Sequence, residues 1–294
     1  MTLDHHSGVL TIERLGPANL IEAFGYLDRE PVLNVYLLAL TLRDALAKPR
    51  DEFWAARREG EMVGVLHMSG QSGAILPLGH DPQTLELLAE QAHERASILP
   101  GRYQIIGPRA AVGALAARFE QAGIRPRLAR NQVYMILERE ALKPFERLAE
   151  LKRAAPEDYD LIHESGAQLR AEELEEDPRL VDPSGYAKRV EEECRDGYTY
   201  LWQDQEGLCF RAGVSAVTPD AAQVSGVYTP PDRRNRGLAR RGLAELCARL
   251  LDRSRTVCLF VNDFNAPALA LYQHLGFAAE ADWASAFYGG SVCA

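Results

Sequence analysis

Apolar and polar positions in the second half of the chain follow helix and strand periods in turn. From residue 238 to 253 apolar residues recur every three or four positions, which predicts a helix with one core-facing stripe. Residues 256–261 are almost entirely apolar, as in an inner strand buried on both faces. The other predicted helices span 156–169, 186–195 and 265–275. The other predicted strands span 199–203, 209–216, 223–229 and one or two segments within 277–288.

The first half of the chain alternates in the same way. Predicted helices cover 20–46, 85–96 and 111–121, and predicted strands cover 53–57, 62–68, 103–106 and 133–137. A segment with linker and helix-start signals, 140–156, separates the halves. The sequence therefore predicts two domains, 1–142 and 150–294, of mixed α/β class.

The two halves read as one fold used twice. Residues 72–77 (SGAILP) parallel residues 225–230 (SGVYTP), an offset of 225 − 72 = 153, and Gly123 parallels Gly276, where 276 − 123 is again 153. The same register sets Asp81 opposite Arg234 and Phe119 opposite Tyr272. We therefore expect the first copy to keep the scaffold and to lack the chemistry of the second.

Composition and charge narrow the class of function. The chain has 294 residues, a net charge of −9 and a pI near 5.4, which argues against general nucleic-acid binding. No apolar run is long enough to span a bilayer, and residues 1–10 lack a signal pattern, so we expect a cytoplasmic protein without membrane contact. The histidines and the five cysteines lack metal-ligand spacing, His5 and His6 read as a tail, and no metal site is predicted.

A short motif after the strand 223–229 carries the first candidate chemistry. Two prolines end the strand, and the segment Arg234-Asn235-Arg236-Gly237-Leu238-Ala239 opens the long helix. A glycine at a helix start lets unpaired backbone N–H groups approach an anion closely, and a pyrophosphate suits them. The dense cluster of arginines around the motif suits a small polyanion better than a duplex. The alternative is a plain strand-to-helix turn with solvated arginines.

A second motif lies about thirty residues downstream. Asn265 follows a strand end, Ala268 keeps one helix face thin, and Tyr272 shares the Asn265 face two turns on. Gly276 then ends the helix. A phenol placed near a sulfur donates a proton to a leaving thiolate. The alternative makes Tyr272 a core aromatic and Asn265 only a helix cap.

Both motifs, in this order and spacing, resemble the GNAT family, the GCN5-related N-acetyltransferases. The signature Gln/Arg-x-x-Gly-x-Gly/Ala is matched by Arg234, Gly237 and Ala239. The later motif, Asn-x-x-Ala-x-x-x-Tyr-x-x-x-Gly-Phe, is matched from Asn265 to Phe277. The resemblance covers 223–288 most firmly and implies tandem GNAT-like domains on a mixed sheet. The C-terminal domain is then the complete acetyl-CoA-binding fold, and the N-terminal domain is a degenerate copy, as in a two-domain bacterial group.

The resemblance also implies roles for single residues. In that family the strand before the signature pairs with the pantetheine arm, and here Val227, Tyr228 and Thr229 hold that place. The N–H groups of residues 234–239 would bind the pyrophosphate, with Asn265 and Ala268 beside the pantetheine and Tyr272 as the acid for the departing thiolate. The strand offers no glutamate as general base, so the base is unassigned: a water relay and an acid from 172–176 both stay open.

The function expected is transfer of an acetyl group from acetyl-CoA to a primary amine by direct attack. The acceptor is a small molecule or a peptide of unknown identity, and the protein is a monomer or a homodimer. We expect the first domain to shape the acceptor cleft without binding acetyl-CoA, although the sequence does not say whether it binds another ligand. Two alternatives stay open: a catalytically silent acetyl-CoA sensor or partner-binding module, and a nucleic-acid binder that uses the arginines.

Overall fold

The computed structural model describes residues 8–289, which form two compact units. The first unit contains the chain up to Glu30, Leu37–Val133 and the segment from Ala281; the second contains Pro31–Tyr36 and Tyr134–Glu280. This division differs from consecutive domains 1–142 and 150–294, because the last strand of the chain pairs inside the first unit. His5, His6 and Cys293 lie outside the described residues.

The first unit is a mixed sheet with helices. Its strands are β1 (Leu10–Leu15), β2 (Asp51–Arg58), β3 (Glu61–Ser69), β4 (Ala74–Gly79), β5 (Tyr103–Pro108) and the first part of β6 (Leu128–Glu138). Its helices are α1 (Leu20–Leu27), α2 (Val35–Asp44), α3 (Pro82–Glu94) and α4 (Arg109–Gln121). Helix α2 belongs to this unit from Leu37 onward. The pairs β1–β2, β2–β3 and β3–β4 are antiparallel, and β4 runs parallel to β5.

The second unit has the same kind of architecture. Its strands are β7 (Lys152–Arg153), β8 (Thr199–Asp204), β9 (Gly207–Val217), β10 (Ala221–Tyr228), β11 (Thr256–Asn262) and the start of β12 (Ala278–Tyr288). Its helices are α5 (Tyr159–Leu174), α6 (Pro178–Val181), α7 (Pro183–Asp196), α8 (Leu238–Leu251) and α9 (Ala266–Leu275). The order from β7 to β11 is β7-β8-β9-β10-β11, antiparallel except for the parallel pair β10 and β11.

The internal repeat is visible in the backbone. The order β2-β3-β4-α3-β5-α4-β6 recurs as β8-β9-β10-α8-β11-α9-β12. Gly73 and Gly226, 226 − 73 = 153 residues apart, both have positive φ, at 73° and 58°. Gly123 and Gly276 both sit in the left-handed region just after their helices, where a side chain would be strained. The chain therefore uses one fold twice, as the offset predicts.

One expectation from the sequence needs correction, and an open one is decided. The apolar segment 20–46 is two helices and not one, because residues 28–34 form turns around Pro31, which cannot donate a helical hydrogen bond. Of the one or two strands expected within 277–288, the structure has one, β12. From Trp283 to Tyr288 this strand pairs with β5, and Ala284, Ala286 and Tyr288 join the core of the first unit.

Helix α8 packs closely on the sheet of the second unit. A Cβ added to Gly242 would lie 2.4 Å from Cγ of Phe210 on β9, so only glycine permits this approach. The helix buries Leu243, Leu246 and Leu250, as the apolar stripe predicts. Within the described residues, no helix combines the length and the apolar composition that crossing a membrane requires.

A buried carboxylate ties the connecting segment of the second unit to α8. Glu245 is 1% exposed and accepts hydrogen bonds from Arg147 at 2.8 Å, from Arg249 at 2.7 Å and from the Leu148 N–H at 3.1 Å. Burial raises the pKa of Glu245, but these donors, with Arg147 first, outweigh it and lower the pKa to about 2. The ionised form is therefore part of the fold.

We expect Glu245→Gln to lower the free energy of unfolding by about 2 kcal/mol, because it weakens charge-assisted hydrogen bonds in a buried site. A pKa lowered on folding adds stability above the ordinary value near 4.5, and that stability is lost as the pH falls toward 2. Urea unfolding at pH 7 and in that acid window measures both effects. The exposed Glu150→Gln in the same segment is the control; equal stabilities of the two variants would contradict the assignment.

Candidate functional site

A cleft opens in the sheet of the second unit where two parallel strands separate. β10 and β11 pair at Ala221 with Thr256, at Ala222 with Val257 and at Gln223 with Cys258, and their pairing stops there. The remaining residues of β10, from Val224 to Tyr228, have no partner on β11. Their backbone groups on that side are open to an extended chain that carries amides.

The shape of β10 has a local cause. Its register with β9 shifts after Gln223 and again between Ser225 and Tyr228, and Gly226 between them has φ of 58°. These bulges turn the strand away from β11. Ser225, Gly226 and Val227 are partly exposed, as residues that line a cleft must be.

The start of α8 stands beyond the end of β10. Asn235 and Gly237 both have left-handed backbones, with φ of 61° and 76°, and Gly237 is the N-cap without any side-chain cap hydrogen bond. Among the residues that the structure describes, no acceptor binds the N–H groups of Leu238, Ala239 and Arg240. A Cβ on Gly237 would meet nothing within 4 Å. The helix start is thus an open cradle of donors at the positive end of a helix dipole.

The arginines around this cradle are held by acidic residues. Arg233 is 4% exposed and pairs with Asp204 at 2.6 Å. Arg236 lies 3.2 Å from Glu206. The cluster that the sequence suggested as a free positive field is in large part neutralised, and Arg233 serves the fold.

Arg234 connects three elements of the site. Its Nε donates to the Thr229 carbonyl at 3.0 Å, its Nη2 lies 2.7 Å from Glu172 on α5, and its guanidinium stands 5.7 Å from the ring centre of Tyr228. The Tyr228 hydroxyl in turn donates to Gln168 on α5 at 2.6 Å. These contacts fix the end of β10, the loop before α8 and helix α5 with respect to one another.

A pocket of about 320 Å³ adjoins the first turn of α8. Lys143, Arg240, Arg241 and His274 line it together with Glu146 and three apolar residues, so most of its ionisable groups are basic. Arg240 contacts the His274 ring at 3.2 Å. A negatively charged group longer than one phosphate would find further cations here.

Helix α9 carries the second motif. Asn265 is its N-cap and accepts a hydrogen bond from the Ala268 N–H at 3.2 Å, which gives it at least the structural role. Ala268 is partly exposed. Tyr272 is 6% exposed, and burial, followed by the charge of Glu173 and by Cys247, raises the pKa of Tyr272. Among the described residues its hydroxyl has no hydrogen-bond partner, so a protonated phenol with a free O–H stands in the unit.

Glu173 lies at the end of α5, and the sequence offered it only as one of the acids at 172–176 that could serve as the base. It is accessible to solvent, yet burial raises its pKa to about 7, against the opposing charge of Arg170 and with a contribution from Glu172. The carboxyl of Glu173 is thus reachable from solvent although neighbouring protein groups disfavour its charged form. In the sequence Glu173 is one acid among those at 172–177, and only the environment distinguishes it.

Comparison with known proteins agrees with this geometry. Residues 211–287 match the family described as FR47-like protein. A tandem GNAT protein from the clavulanic acid biosynthesis pathway, solved without acetyl-CoA, is similar over 96% of this chain and 100% of its own, with a TM-score of 0.54 and 17% identity. A GCN5-related N-acetyltransferase from Sphaerobacter thermophilus covers 99% of both chains, with a TM-score of 0.58 and 16% identity.

A Drosophila protein is also similar, with a TM-score of 0.63 and 14% identity, over 94% of this chain and 98% of that one. No curated protein matches the chain. At these identities the solved structures establish a shared fold and nothing more about substrates.

The solved structures show that the chain has the fold of GNAT proteins, and residues 211–287 match the FR47-like family. The FR47-like match falls on the second copy of the tandem fold, which holds the cleft, the open helix start and Tyr272. Between residues 8 and 289 there is no group of three or more His, Cys, Asp or Glu side chains arranged to hold a metal ion.

We expect Gly237→Ala to lower the free energy of unfolding by about 1 kcal/mol, because alanine is strained at positive φ although space for its Cβ exists. The matched control is Gly113→Ala in α4, where an added Cβ also meets nothing within 4 Å and the backbone is helical. That change should stabilise by up to about 1 kcal/mol. Denaturant unfolding of both variants is the measurement, and equal shifts would exclude backbone strain at Gly237.

Proposed function

We propose that the second unit transfers an acetyl group from acetyl-CoA to a primary amine by direct attack. The observation that carries this proposal is the open start of α8 beside the unpaired end of β10. Three N–H donors without partners, with room around Gly237, fit a diphosphate. Backbone groups of Val227, Tyr228 and Thr229 follow along the strand and fit the amides of a pantetheine arm.

The side chains around the cradle have graded roles in this proposal. Arg234 and Arg236 orient the loop through Glu172 and Glu206, while the backbone of residues 234–239 holds the phosphates. Asn265 keeps α9 capped, and Ala268 leaves its first turn narrow. The basic pocket at Arg240 and His274 offers cations for additional phosphate.

When bound, acetyl-CoA supplies a thioester carbonyl that an amine attacks and a thiolate that leaves. Tyr272 donates its hydroxyl proton to that sulfur. The raised pKa of Tyr272 keeps the proton on the phenol at neutral pH, so the acid is in its working form. Its hydroxyl makes no competing hydrogen bond with the described residues, which leaves the O–H free for this task.

The first unit does not take part in acetyl-CoA binding under this proposal. Its helix α3, the equivalent of α8, is capped by Asp81, whose carboxylate accepts from the Thr84 N–H at 3.0 Å. Pro82 at the helix start removes a further donor. A carboxylate therefore occupies the place where α8 offers open N–H groups to an anion, and it would repel a phosphate.

The alternative is an acetyl-CoA sensor without turnover. One observation favours it: β10 carries Ser225 and Gly226 and no carboxylate. Incubation with acetyl-CoA and a panel of primary amines separates the two functions, because only the enzyme releases free thiol in an amine-dependent way.

We expect Ala239→Asp to weaken coenzyme A binding by at least about tenfold while leaving the fold as stable as before or more so. An acidic side chain in the first turn of a helix complements the dipole but repels a phosphate. Calorimetry with coenzyme A and thermal unfolding measure the two effects. Ala248→Asp near the other end of α8 is the control for binding. If Ala239→Asp binds coenzyme A as tightly as the unaltered protein does, the diphosphate does not bind at this helix start.

We expect Tyr272→Phe to lower kcat by about a hundredfold or more while leaving coenzyme A affinity within a factor of about three, because only the acid is lost. Tyr198→Phe changes an exposed tyrosine and should leave both values unaltered. Thiol release and calorimetry are the measurements. Unchanged turnover in Tyr272→Phe would take the acid role from this residue.

A further inference from the structure

Helix α5 lies over the open part of β10. Leu169 packs there, with its Cδ2 3.4 Å from the point where a Cβ on Gly226 would stand. The Tyr228 hydroxyl donates a hydrogen bond to Gln168, which ties α5 to the end of β10. Glu173 is four residues beyond Leu169 and so lies one turn farther on the same helix face. The contact of Leu169 shows that this face of α5 is turned toward the part of β10 that has no partner on β11.

Glu173 also lies close enough to Tyr272, the proposed acid, for its charge to affect that residue. Its charge is the second cause, after burial, of the raised pKa of Tyr272. Tyr272 comes from α9, about a hundred residues away along the chain, so the fold brings a carboxyl and a phenol to one place. No ion pair or hydrogen bond within residues 8–289 engages the Glu173 carboxyl.

The neighbouring acids are bound by other groups. Glu172 pairs with Arg234 at 2.7 Å, and Asp177 pairs with Arg179 at 2.7 Å. Glu175 and Glu176 have partners of their own. Within the acidic segment 172–177, the Glu173 carboxyl is therefore the one that combines accessibility, a place on the helix face of Leu169 and the absence of an ion-pair partner among the described residues.

We propose that Glu173 is the base that accepts the proton which the acceptor amine must lose before it attacks. This inference rests on the proposed acetyl transfer, and it supplies the base that β10 lacks. The acceptor ammonium gives one proton to the carboxylate, which becomes a carboxylic acid, and the amine keeps its lone pair. That pair forms the carbon–nitrogen bond while the carbon–sulfur bond breaks and the sulfur takes the Tyr272 proton. The nitrogen then returns its surplus proton to Tyr272, and Glu173 releases its proton to solvent.

The charged surroundings suit this task. On α5 itself, Arg170 favours the carboxylate and Glu172 favours the acid form, while Tyr272 faces from α9 as a neutral phenol. β10 contributes Ser225 and Gly226, which do not titrate at neutral pH. A pKa of about 7 for Glu173 leaves both forms populated near neutrality, where a general base works best. Activity should therefore rise with pH through about 7.

The experiment compares Glu173→Gln with Glu191→Gln, a like change at an exposed position on α7. Coenzyme A binding is first measured by calorimetry for both variants and should be unaltered. Thiol release from acetyl-CoA is then followed between pH 5 and 9 with glycine, spermidine, tyramine and glucosamine as acceptors. For any amine that is accepted, Glu173→Gln should lower kcat/KM about a hundredfold at pH 7 and remove the rise near pH 7. Glu191→Gln should keep the kcat/KM of the unaltered protein at pH 7 and its rise near pH 7.

Rescue by the acceptor distinguishes a base from a structural residue. Methoxyamine is largely unprotonated at pH 7 and needs no base to free its lone pair, so Glu173→Gln should lose less than about threefold in kcat/KM with it. Carboxyl signals of ¹³C-labelled glutamate, followed by NMR, should include one that titrates near pH 7 and is missing in Glu173→Gln.

Three results overturn the inference. If Glu173→Gln binds coenzyme A and its kcat/KM depends on pH as in the unaltered protein, Glu173 is not the base. The proposed function is then unaffected. An equal loss of kcat/KM with methoxyamine and with protonated amines assigns Glu173 a structural role. No binding of coenzyme A, or no thiol release with any amine, overturns the proposed function itself and this inference with it.

Discussion

The separation of β10 from β11 after three residue pairs is the constraint on which the rest of the second unit depends. Parallel strands in the interior of a fold normally stay paired, because unpaired backbone groups away from water are costly. Here bulges and the left-handed backbone of Gly226 bend β10 away, and its amides are left for a guest. The cleft, the cradle at α8 and the acid on α9 are useful only because this opening exists.

The electrostatics of the site rest on dipoles more than on free charge. The chain is acidic, and its loop arginines are held by Asp204, Glu206 and Glu172. What stays unpaired at α8 is a set of backbone N–H groups, which bind an anion without the cost of ordering long side chains. In the first unit Asp81 caps the equivalent helix α3. The same scaffold therefore has an open helix start in one copy and a helix start capped by a carboxylate in the other.

Much of the fold could be predicted from periodicity. Helix α8, strand β11 and the hairpin between β2 and β3 follow spacing and turn residues that act within a few positions. The expected single helix over 20–46 was wrong because apolar content continues through a break that Pro31 enforces. The pairing of β12 with β5 could not be predicted, because the apolar pattern of a strand specifies its buried face and not its neighbour.

The sequence by itself determined the local devices of the site: the glycine at the start of α8, the cap of α9 by Asn265 and the position of Tyr272 two turns later. Each depends on backbone conformation over fewer than ten residues, and a motif records such a requirement directly. Only the tertiary structure decided which arginines are neutralised and which acid of the segment 172–177 stays unpaired in the cleft. Burial raises the pKa of Glu173, and the charge of Glu173 in turn raises the pKa of Tyr272 on α9; desolvation and charge act through space between residues that are far apart in the chain.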